Sequence, residues 1–221
     1  MQAVISGDII SSSEYSEKLL ETVIKNLQDE FDSIAEEEAG TFAVWRGDSF
    51  QGVLYDARDA LNTAIKLKAL VNQTSTDNTE KGVKSQAAEA DVRIATAAGI
   101  IENPHQQPAS SNEETYVRSG KKLDAMSKQK RTIVADLPDE SLNRELDVEL
   151  NLLEFVMERW SVASAQLIYC KLSGMDDHEI AEYLEISLPA VYKRKKTSGW
   201  KACKLVLDRY EELLATNSGN Q

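Results

Sequence analysis

The spacing of apolar residues changes near residue 137, and this change limits the folds open to the chain. Before it, short apolar runs of strand length alternate with stripes at helical spacing, such as Leu20, Val23 and Ile24. Beyond about residue 150 the spacing is helical throughout. We therefore expect an α+β domain, a linker that could also start a helix, an all-α domain and a tail. These cover residues 1–136, 137–150, 151–216 and 217–221.

The first six elements of the α+β domain are expected in the order β-α-β-β-α-β. Strand one is read over residues 2–10, and a long helix follows that ends at Gly40. The segments "TFAVW" and "FQGVLY" flank the turn "RGDS" as a hairpin. A helix over 56–72 and the strand "DVRIATAAGII" complete the six. Because this order is that of the ferredoxin-like split fold, we expect an antiparallel sheet with helices on one face.

Two aspartates stand where strand one and the hairpin are expected to meet. Asp8 lies inside an apolar run, and Asp48 lies in the hairpin turn. Neighbouring carboxylates repel each other unless a cation or proton lies between them. Together they predict a Mg²⁺ site, because Mg²⁺ binds few carboxylates and completes its shell with water and phosphate. The alternative is that Gly-Asp is ordinary turn chemistry and that the serines at 11–13 hydrogen-bond Asp8.

Three motifs in this domain, "SGDII", "RGDSFQG" and "VRIATAAGII", resemble those of the SatD family. They are similar, more distantly, to the palm of class III nucleotidyl cyclases and GGDEF-type cyclases. The resemblance implies that Asp8 and Asp48 bind metal ions that grip a nucleoside triphosphate. The purine-selecting position of those cyclases is Val44 here, and their late-helix positions read Arg118 and Lys122. The resemblance therefore implies a palm that keeps the metal pair and lacks the substrate-reading groups.

Basic side chains around this palm are candidate ligands for phosphate. We assign that role to Arg46, Arg118 and Lys122. The alternative is solvated surface charge, the usual environment of such residues. No catalytic residue is assigned, because neither His105 nor His178 has a Ser or Cys nucleophile placed near it by the sequence.

The segment "GMDDHEIAEYLEISLPAVYKRKKTSGWKACK" predicts two helices joined by a tight turn at Glu185 and Ile186. Asp176 suits the cap of the first helix. Ser187 suits the cap of the second, with Pro189 in its first turn. With the preceding helix "SVASAQLIYCKL", this segment resembles sigma-factor region 4 and LuxR-type helix-turn-helix domains.

The charge of this segment differs from that of the whole chain. The formal net charge is -12, which disfavours indiscriminate binding to nucleic acid, yet no acidic residue lies between Ile186 and Leu207. A recognition helix places its N-terminal residues at base edges while basic side chains hold phosphate. The candidate DNA contacts are Ser187, Leu188, Ala190, Tyr192, Lys193, Arg194, Lys195, Lys196 and Lys201. The alternative is a protein-interaction module with a solvated basic face.

The last amphipathic helix, "LVLDRYEELLATNSGNQ", has two readings. With "LNLLEFVMERW" it forms the seam of a homodimer, or it closes the core of the all-α domain. The sequence has no apolar run of about 18 residues and no basic region followed by a long apolar stretch. We therefore expect a cytoplasmic protein that does not contact membranes.

Taken together, the sequence predicts a transcriptional regulator that binds double-stranded DNA. Its palm-like domain is expected to sense a nucleotide or phosphate ligand without catalysis, with Mg²⁺ as the candidate cofactor. Two alternatives stay open. One is a metal-dependent nucleotide cyclase or nucleotidyltransferase, and the other is a protein-interaction adaptor.

Overall fold

The fold combines a mixed β-sheet with eight α-helices within the part of the chain that the structure describes. The computed structural model describes residues 1–45, 47–75, 89–102, 104 and 113–218. The strands are β1 (Gln2–Ile9), β2 (Gly40–Trp45), β3 (Ser49–Leu54), β4 (Val92–Gly99) and β5 (Ile133–Asp136). The helices are α1 (Glu17–Glu36), α2 (Ala60–Gln73), α3 (Glu114–Gln129), α4 (Glu140–Met157), α5 (Val162–Leu172), α6 (Asp177–Tyr183), α7 (Leu188–Thr197) and α8 (Trp200–Ser218). The α+β class is confirmed.

The strands lie side by side in the order β2-β3-β1-β4-β5. β1 runs antiparallel to both neighbours, with Asp8 opposite Ser49 on one side and Arg93 on the other. β4 and β5 run parallel, with Ala97 opposite Asp136. The prediction of an antiparallel sheet is wrong at this edge. The reason is that the chain returns through α3 before it enters β5, and a helical crossover joins parallel strands.

Helices cover both faces of the sheet. Successive side chains of β1 point to opposite faces, so Ile5 packs in the main core with α1 and α2, whereas Val4 packs against Val53 and Tyr116. Tyr116 belongs to α3, which therefore lies on the face opposite α1 and α2. The prediction of helices on one face is wrong for α3. Residues 3–5 are consecutively apolar, which indicates a strand buried on both sides.

Gly7 leaves room for an aromatic cluster beneath the end of β1. A Cβ at Gly7 would lie 2.3 Å from Cζ of Phe50. The Phe50 ring is tilted against the Phe31 ring, with the ring centroids 5.3 Å apart. The Phe31 ring stacks on the Phe42 ring, with the centroids 4.6 Å apart. The glycine before Asp8 is therefore explained by close packing of the sheet against α1.

Most of the segment predicted as a linker, residues 137–150, lies in α4. The side chain of Asp139 caps the helix and accepts a hydrogen bond from the backbone N–H of Ser141 at 2.8 Å. Further along α4, the buried carboxylate of Glu154 accepts the backbone N–H of Ile133 at 3.0 Å. α4 is therefore fixed to the edge strand of the sheet and is a packed connection between the two parts of the chain.

Packing of α5 along α2 joins the helical part to the sheet part. The hydroxyl of Tyr169 on α5 donates to Oε2 of Glu30 on α1 at 2.7 Å, and Lys66 on α2 lies 2.6 Å from the same carboxylate. Burial, together with the nearby Glu30, raises the pKa of Tyr169, so the phenol keeps its proton for this bond. A second link runs from the hydroxyl of Tyr210 to the carbonyl oxygen of Ala57 at 3.1 Å. A single apolar cluster spans both parts.

α8 closes the core of the helical part. Leu207 and Leu213 are buried there, as one of the two readings expects. On α4, in contrast, Val148, Leu152 and Phe155 are 60%, 68% and 59% exposed. The homodimer stays a prediction. Among the described helices, none has both the length and the apolar content needed to cross a membrane.

Candidate functional site

Asp8 is bound by an arginine from the neighbouring strand. The register of β1 and β4 places Arg93 directly opposite Asp8. Nε and Nη2 of Arg93 donate to the two carboxylate oxygens at 3.1 and 2.6 Å, a bidentate ion pair. The partner of this carboxylate is therefore a cross-strand arginine and not the serines at 11–13.

Asp48 lies beside Asp8 but has partners of its own. Ser49, the next residue, is opposite Asp8 in the sheet, and the backbone N–H of Ile9 donates to the carbonyl oxygen of Asp48 at 2.9 Å. The hydroxyl of Ser12 donates to Oδ2 of Asp48 at 2.8 Å, and that of Ser49 donates to Oδ1 at 3.2 Å. The hairpin turn therefore lies beside the end of β1, as expected. The carboxylates of Asp8 and Asp48 bind different partners.

The side chains at this end of the sheet are a poor fit to a resident Mg²⁺ ion as they stand. Arg93 contacts both oxygens of Asp8, so an ion could reach that carboxylate only after the guanidinium moved. In the described ranges, no three side chains from Asp, Glu, His and Cys converge as a metal site. Mg²⁺ binding by Asp8 and Asp48 stays a prediction, and no reaction step is assigned to a metal.

Arg118 and Lys122 both bind a third carboxylate, that of Asp136. Nε of Arg118 donates to Oδ2 of Asp136 at 2.7 Å, and Nζ of Lys122 lies 3.0 Å from Oδ1. The two cations project from α3, and Asp136 is the last residue of β5. Their charges are therefore partly neutralised within the protein.

Strand register separates this cluster from Asp8. Asp136 is opposite Ala97, and Ala97 is opposite Val4. Because Val4 precedes Asp8 by four residues on β1, the two clusters are about 13 Å apart along the strand. The metal and phosphate residues predicted for the palm therefore lie in two places. Arg46, the third predicted phosphate ligand, lies outside the described residues.

In the helical part, α6 and α7 are joined by a tight turn at Glu185. Glu185 has a φ of 51°, a left-handed conformation that is uncommon for a residue with a side chain. α6 begins with a capping box. The Asp176 carboxylate accepts the N–H of Glu179 at 2.9 Å, and the Glu179 carboxylate accepts the N–H of Asp176 at 2.7 Å. The predicted turn and the predicted cap at Asp176 are both confirmed.

A small apolar core holds α7 against α5 and α6. Val191 is buried with Leu167 of α5 and Ile180 of α6. Pro189 lies in the first turn of α7, where its missing N–H has no cost. Ser187 is the N-cap by backbone conformation, but its side chain makes no capping hydrogen bond, which differs from the prediction. The orientation of α7 is therefore set mainly by apolar packing.

The opposite face of α7 is open to solvent. Tyr192 is 55% exposed, and Lys193 and Lys196 are also exposed. Spacings of three and four residues place these side chains on one side of the helix. Ser187 and Lys201 are exposed as well, and Leu188 and Ala190 are half-buried. Seven of the nine predicted DNA contacts therefore have at least partial access to solvent and no ion pair of their own among the described residues.

Arg194 and Lys195, the other two, turn toward the protein. Nη1 of Arg194 donates to Oε1 of Gln166 on α5 at 3.2 Å, and burial lowers the pKa of Arg194. Nζ of Lys195 lies 2.8 Å from Oδ2 of Asp177, and this hydrogen bond lowers the pKa of Asp177. Each cation keeps N–H groups that these contacts do not use, and both side chains are half-buried. Their assignment as DNA contacts stays a prediction.

The partner residues were the part of the site that sequence reasoning missed. The sequence assigns no partner to Arg93. Aligning strand one with the strand "DVRIATAAG" by the alternation of their side chains could have placed Arg93 opposite Asp8. Asp177 follows the predicted cap Asp176, and nothing in the sequence indicates that it binds Lys195.

Comparisons with known proteins identify no family for this chain. No protein-family model matches the chain, and no curated protein matches its sequence significantly. The resemblances to the SatD family, to cyclase palms and to sigma-factor region 4 therefore stay expectations from short motifs.

Proposed function

We propose that the chain is a DNA-binding transcriptional regulator and that α7 enters the major groove of duplex DNA. The observation that carries this proposal is the exposed side of α7, which presents Tyr192, Lys193 and Lys196 together. An α-helix fits the major groove, where each base pair has its own pattern of donors and acceptors. The tight turn at Glu185 sets two short helices against each other, as a helix-turn-helix unit requires.

The distribution of charge supports the same proposal. The net charge of -12 repels DNA from most of the surface, whereas residues 186–207 contain no carboxylate side chain. Lys193, Lys196 and Lys201 contact phosphates in this arrangement. Base edges are contacted from the N-terminal half of α7 by Ser187, Leu188, Ala190 and Tyr192.

The sheet part is proposed as the sensor of the regulator. The strand order β2-β3-β1-β4 agrees with a ferredoxin-like, palm-type sheet, the fold that the motifs resembling the SatD family imply. A nucleotide or phosphate ligand belongs to this proposal, with Mg²⁺ at Asp8 and Asp48 once Arg93 has released Asp8. The protein is proposed to be cytoplasmic and to act as a homodimer. The exposed Leu152 and Phe155 on α4 are apolar residues open to a second copy.

The test is selection of duplexes from a random-sequence library, followed by binding measurements at several salt concentrations. Three phosphate contacts per copy should give a slope of log K against log salt of about −2.7 for one copy and about −5.4 for a homodimer. The double variant Lys193→Glu/Lys196→Glu should abolish binding, because it places two carboxylates against phosphate. Lys18→Glu/Lys25→Glu is the matched control, since it makes the same charge change at exposed positions on α1.

Three results would count against the regulator. Equal loss of binding in both double variants would mean that only total charge matters. Failure of the library to yield any enriched duplex would favour the adaptor. Formation of a cyclic or linear nucleotide product from a nucleoside triphosphate and Mg²⁺, lost in Asp48→Ala, would favour the nucleotide-processing enzyme.

A further inference from the structure

A pocket of about 940 Å³ lies between α3, α4 and the adjoining ends of β4 and β5. One wall holds Arg118, Lys122, Asp136 and Asn143. Ile100, which is 73% exposed, is part of its open side. Pockets of this size accommodate a small organic ligand. The pocket is distinct from the Asp8 cluster and from α7.

The acceptors on this wall are already occupied. Asp136, whose side chain is 8% exposed, receives Nε and Nη2 of Arg118 on Oδ2. Its Oδ1 receives Nζ of Lys122 at 3.0 Å and Nδ2 of Asn143 at 3.2 Å. The side-chain oxygen of Asn143 accepts the backbone N–H of Leu137 at 2.7 Å. A carboxylate has about four acceptor positions, so this wall has little capacity left for a ligand that donates hydrogen bonds.

Donors on the same wall remain available. A guanidinium carries five N–H groups and an ammonium carries three. Arg118 uses its Nε and Nη2 on Asp136 and one Nη1 proton on the carbonyl oxygen of Ala98 at 3.1 Å. Lys122 has one contact, with Asp136, and its side chain is 45% exposed. Two N–H groups on each of these cations therefore have no acceptor among the described residues, so the wall favours an oxyanion.

The rest of the lining limits the charge and shape of that anion. Four carboxylates and three cations line the pocket: Glu114, Asp136, Glu140 and Asp147, with Arg118, Lys122 and Arg144. A phosphate monoester carries nearly two negative charges at neutral pH and is repelled more strongly by the carboxylates at the rim than a single carboxylate is. Ile100 and Val148 line the pocket with large exposed apolar side chains, 73% and 60% accessible, which suit an apolar ligand body.

We propose that this pocket binds a small organic carboxylate with a short apolar body. The ligand carboxylate accepts from the remaining N–H groups of Arg118 and Lys122, and the apolar body covers Ile100 and Val148. Such a ligand contacts α3 and α4 together, because the pocket lining comes from both helices. This site goes beyond DNA binding by α7 and does not depend on it. It replaces phosphate by carboxylate as the ligand of Arg118 and Lys122.

The experiment compares hexanoate with its uncharged analogue hexanamide, using backbone amide shifts in NMR spectra of the full chain. We expect hexanoate to shift the amides of Gly99, Arg118 and Asn143 in a saturable way, and hexanamide to leave them unchanged. Inorganic phosphate should bind more weakly than hexanoate. Absence of saturation with hexanoate, equal shifts with hexanamide, or tighter binding of phosphate would each overturn the proposal.

A pair of variants tests whether Lys122 binds the ligand carboxylate. Lys122→Met keeps much of the length of the side chain, removes its charge and leaves Arg118 and Asn143 on Asp136. We expect hexanoate affinity to fall about tenfold, the usual effect of losing one charge-assisted hydrogen bond. Lys121→Met is the matched control, because Lys121 is exposed on the same helix and does not line the pocket. Unchanged affinity in Lys122→Met, or equal loss in both variants, contradicts the assignment.

Discussion

Nζ of Lys195 lies 2.8 Å from Oδ2 of Asp177, and this ion pair joins the last turn of α7 to the first residue of α6. Lys171 on α5 lies 3.4 Å from the same carboxylate, so one aspartate links three helices. The hydrogen bond from Lys195 lowers the pKa of Asp177 relative to its usual 3.8. The folded state therefore binds fewer protons than the unfolded state as Asp177 titrates, and this stabilisation is present above the unfolded pKa.

We expect Asp177→Asn to reduce the free energy of unfolding at neutral pH by up to about 1 kcal/mol, the usual range for a partly exposed pair. The difference from wild type should shrink as the pH falls below about 4, because the wild-type carboxylate is then protonated as well. Urea unfolding over a series of pH values measures it. Asp124→Asn, at an exposed position on α3, serves as the control. A deficit that persists in acid would show that the amide disturbs packing instead.

The bidentate pair of Asp8 and Arg93 leads to a prediction about Mg²⁺. If Asp8 is a metal ligand, Arg93 competes with the ion for both of its oxygens. We expect Arg93→Met to bind Mg²⁺ about tenfold more tightly than wild type, measured by calorimetric titration, because the competing cation is gone. The double variant Arg93→Met/Asp8→Asn should lose the gain. Equal Mg²⁺ affinity in wild type and Arg93→Met would remove Asp8 from the candidate metal ligands.

Glu154 anchors α4 to the sheet through buried contacts with Arg131 and with the backbone N–H groups of Thr132 and Ile133. We expect Glu154→Ala to reduce the free energy of unfolding by about 3–5 kcal/mol, since it leaves the buried Arg131 without its main partner. Asp147→Ala is the control, because Asp147 also binds Arg131 but is 59% exposed. That variant should lose less than about 1 kcal/mol. Similar losses in both, measured by denaturant unfolding, would contradict the importance of burial.

The elements were predictable because their signals are local. Alternation and helical stripes lie within each segment, and the left-handed turn at Glu185 follows from the two helices that it must join. The side of the sheet that α3 covers was not predictable in that way, because it depends on how the distant residues Val4, Val53 and Tyr116 meet. The extent of α4 was only partly predictable, since residues 137–150 are strongly acidic although Leu142, Leu146 and Leu150 recur at helical spacing.

The candidate sites were predictable at the level of residues and not at the level of contacts. Asp8 stands out because it interrupts an apolar run. Lys122 and Lys195 stand out because each lies next to other basic residues. Their partners Arg93, Asp136 and Asp177 come from other elements, and strand register and helix orientation decide those pairings. The same charges therefore permit both a ligand site and an internal ion pair until the three-dimensional arrangement is known.

α5 lies between α2 on one side and α7 on the other, with Ile168 in the core shared with the sheet part and Leu167 in the core shared with Val191. α7 consequently cannot rotate independently, and its orientation is fixed relative to the sheet. When α7 reads DNA as proposed, two copies hold their reading helices at a fixed separation. A target with unsuitable spacing must then be fitted by curving the duplex, so the stiffness of the DNA between half-sites becomes a determinant of which targets are chosen.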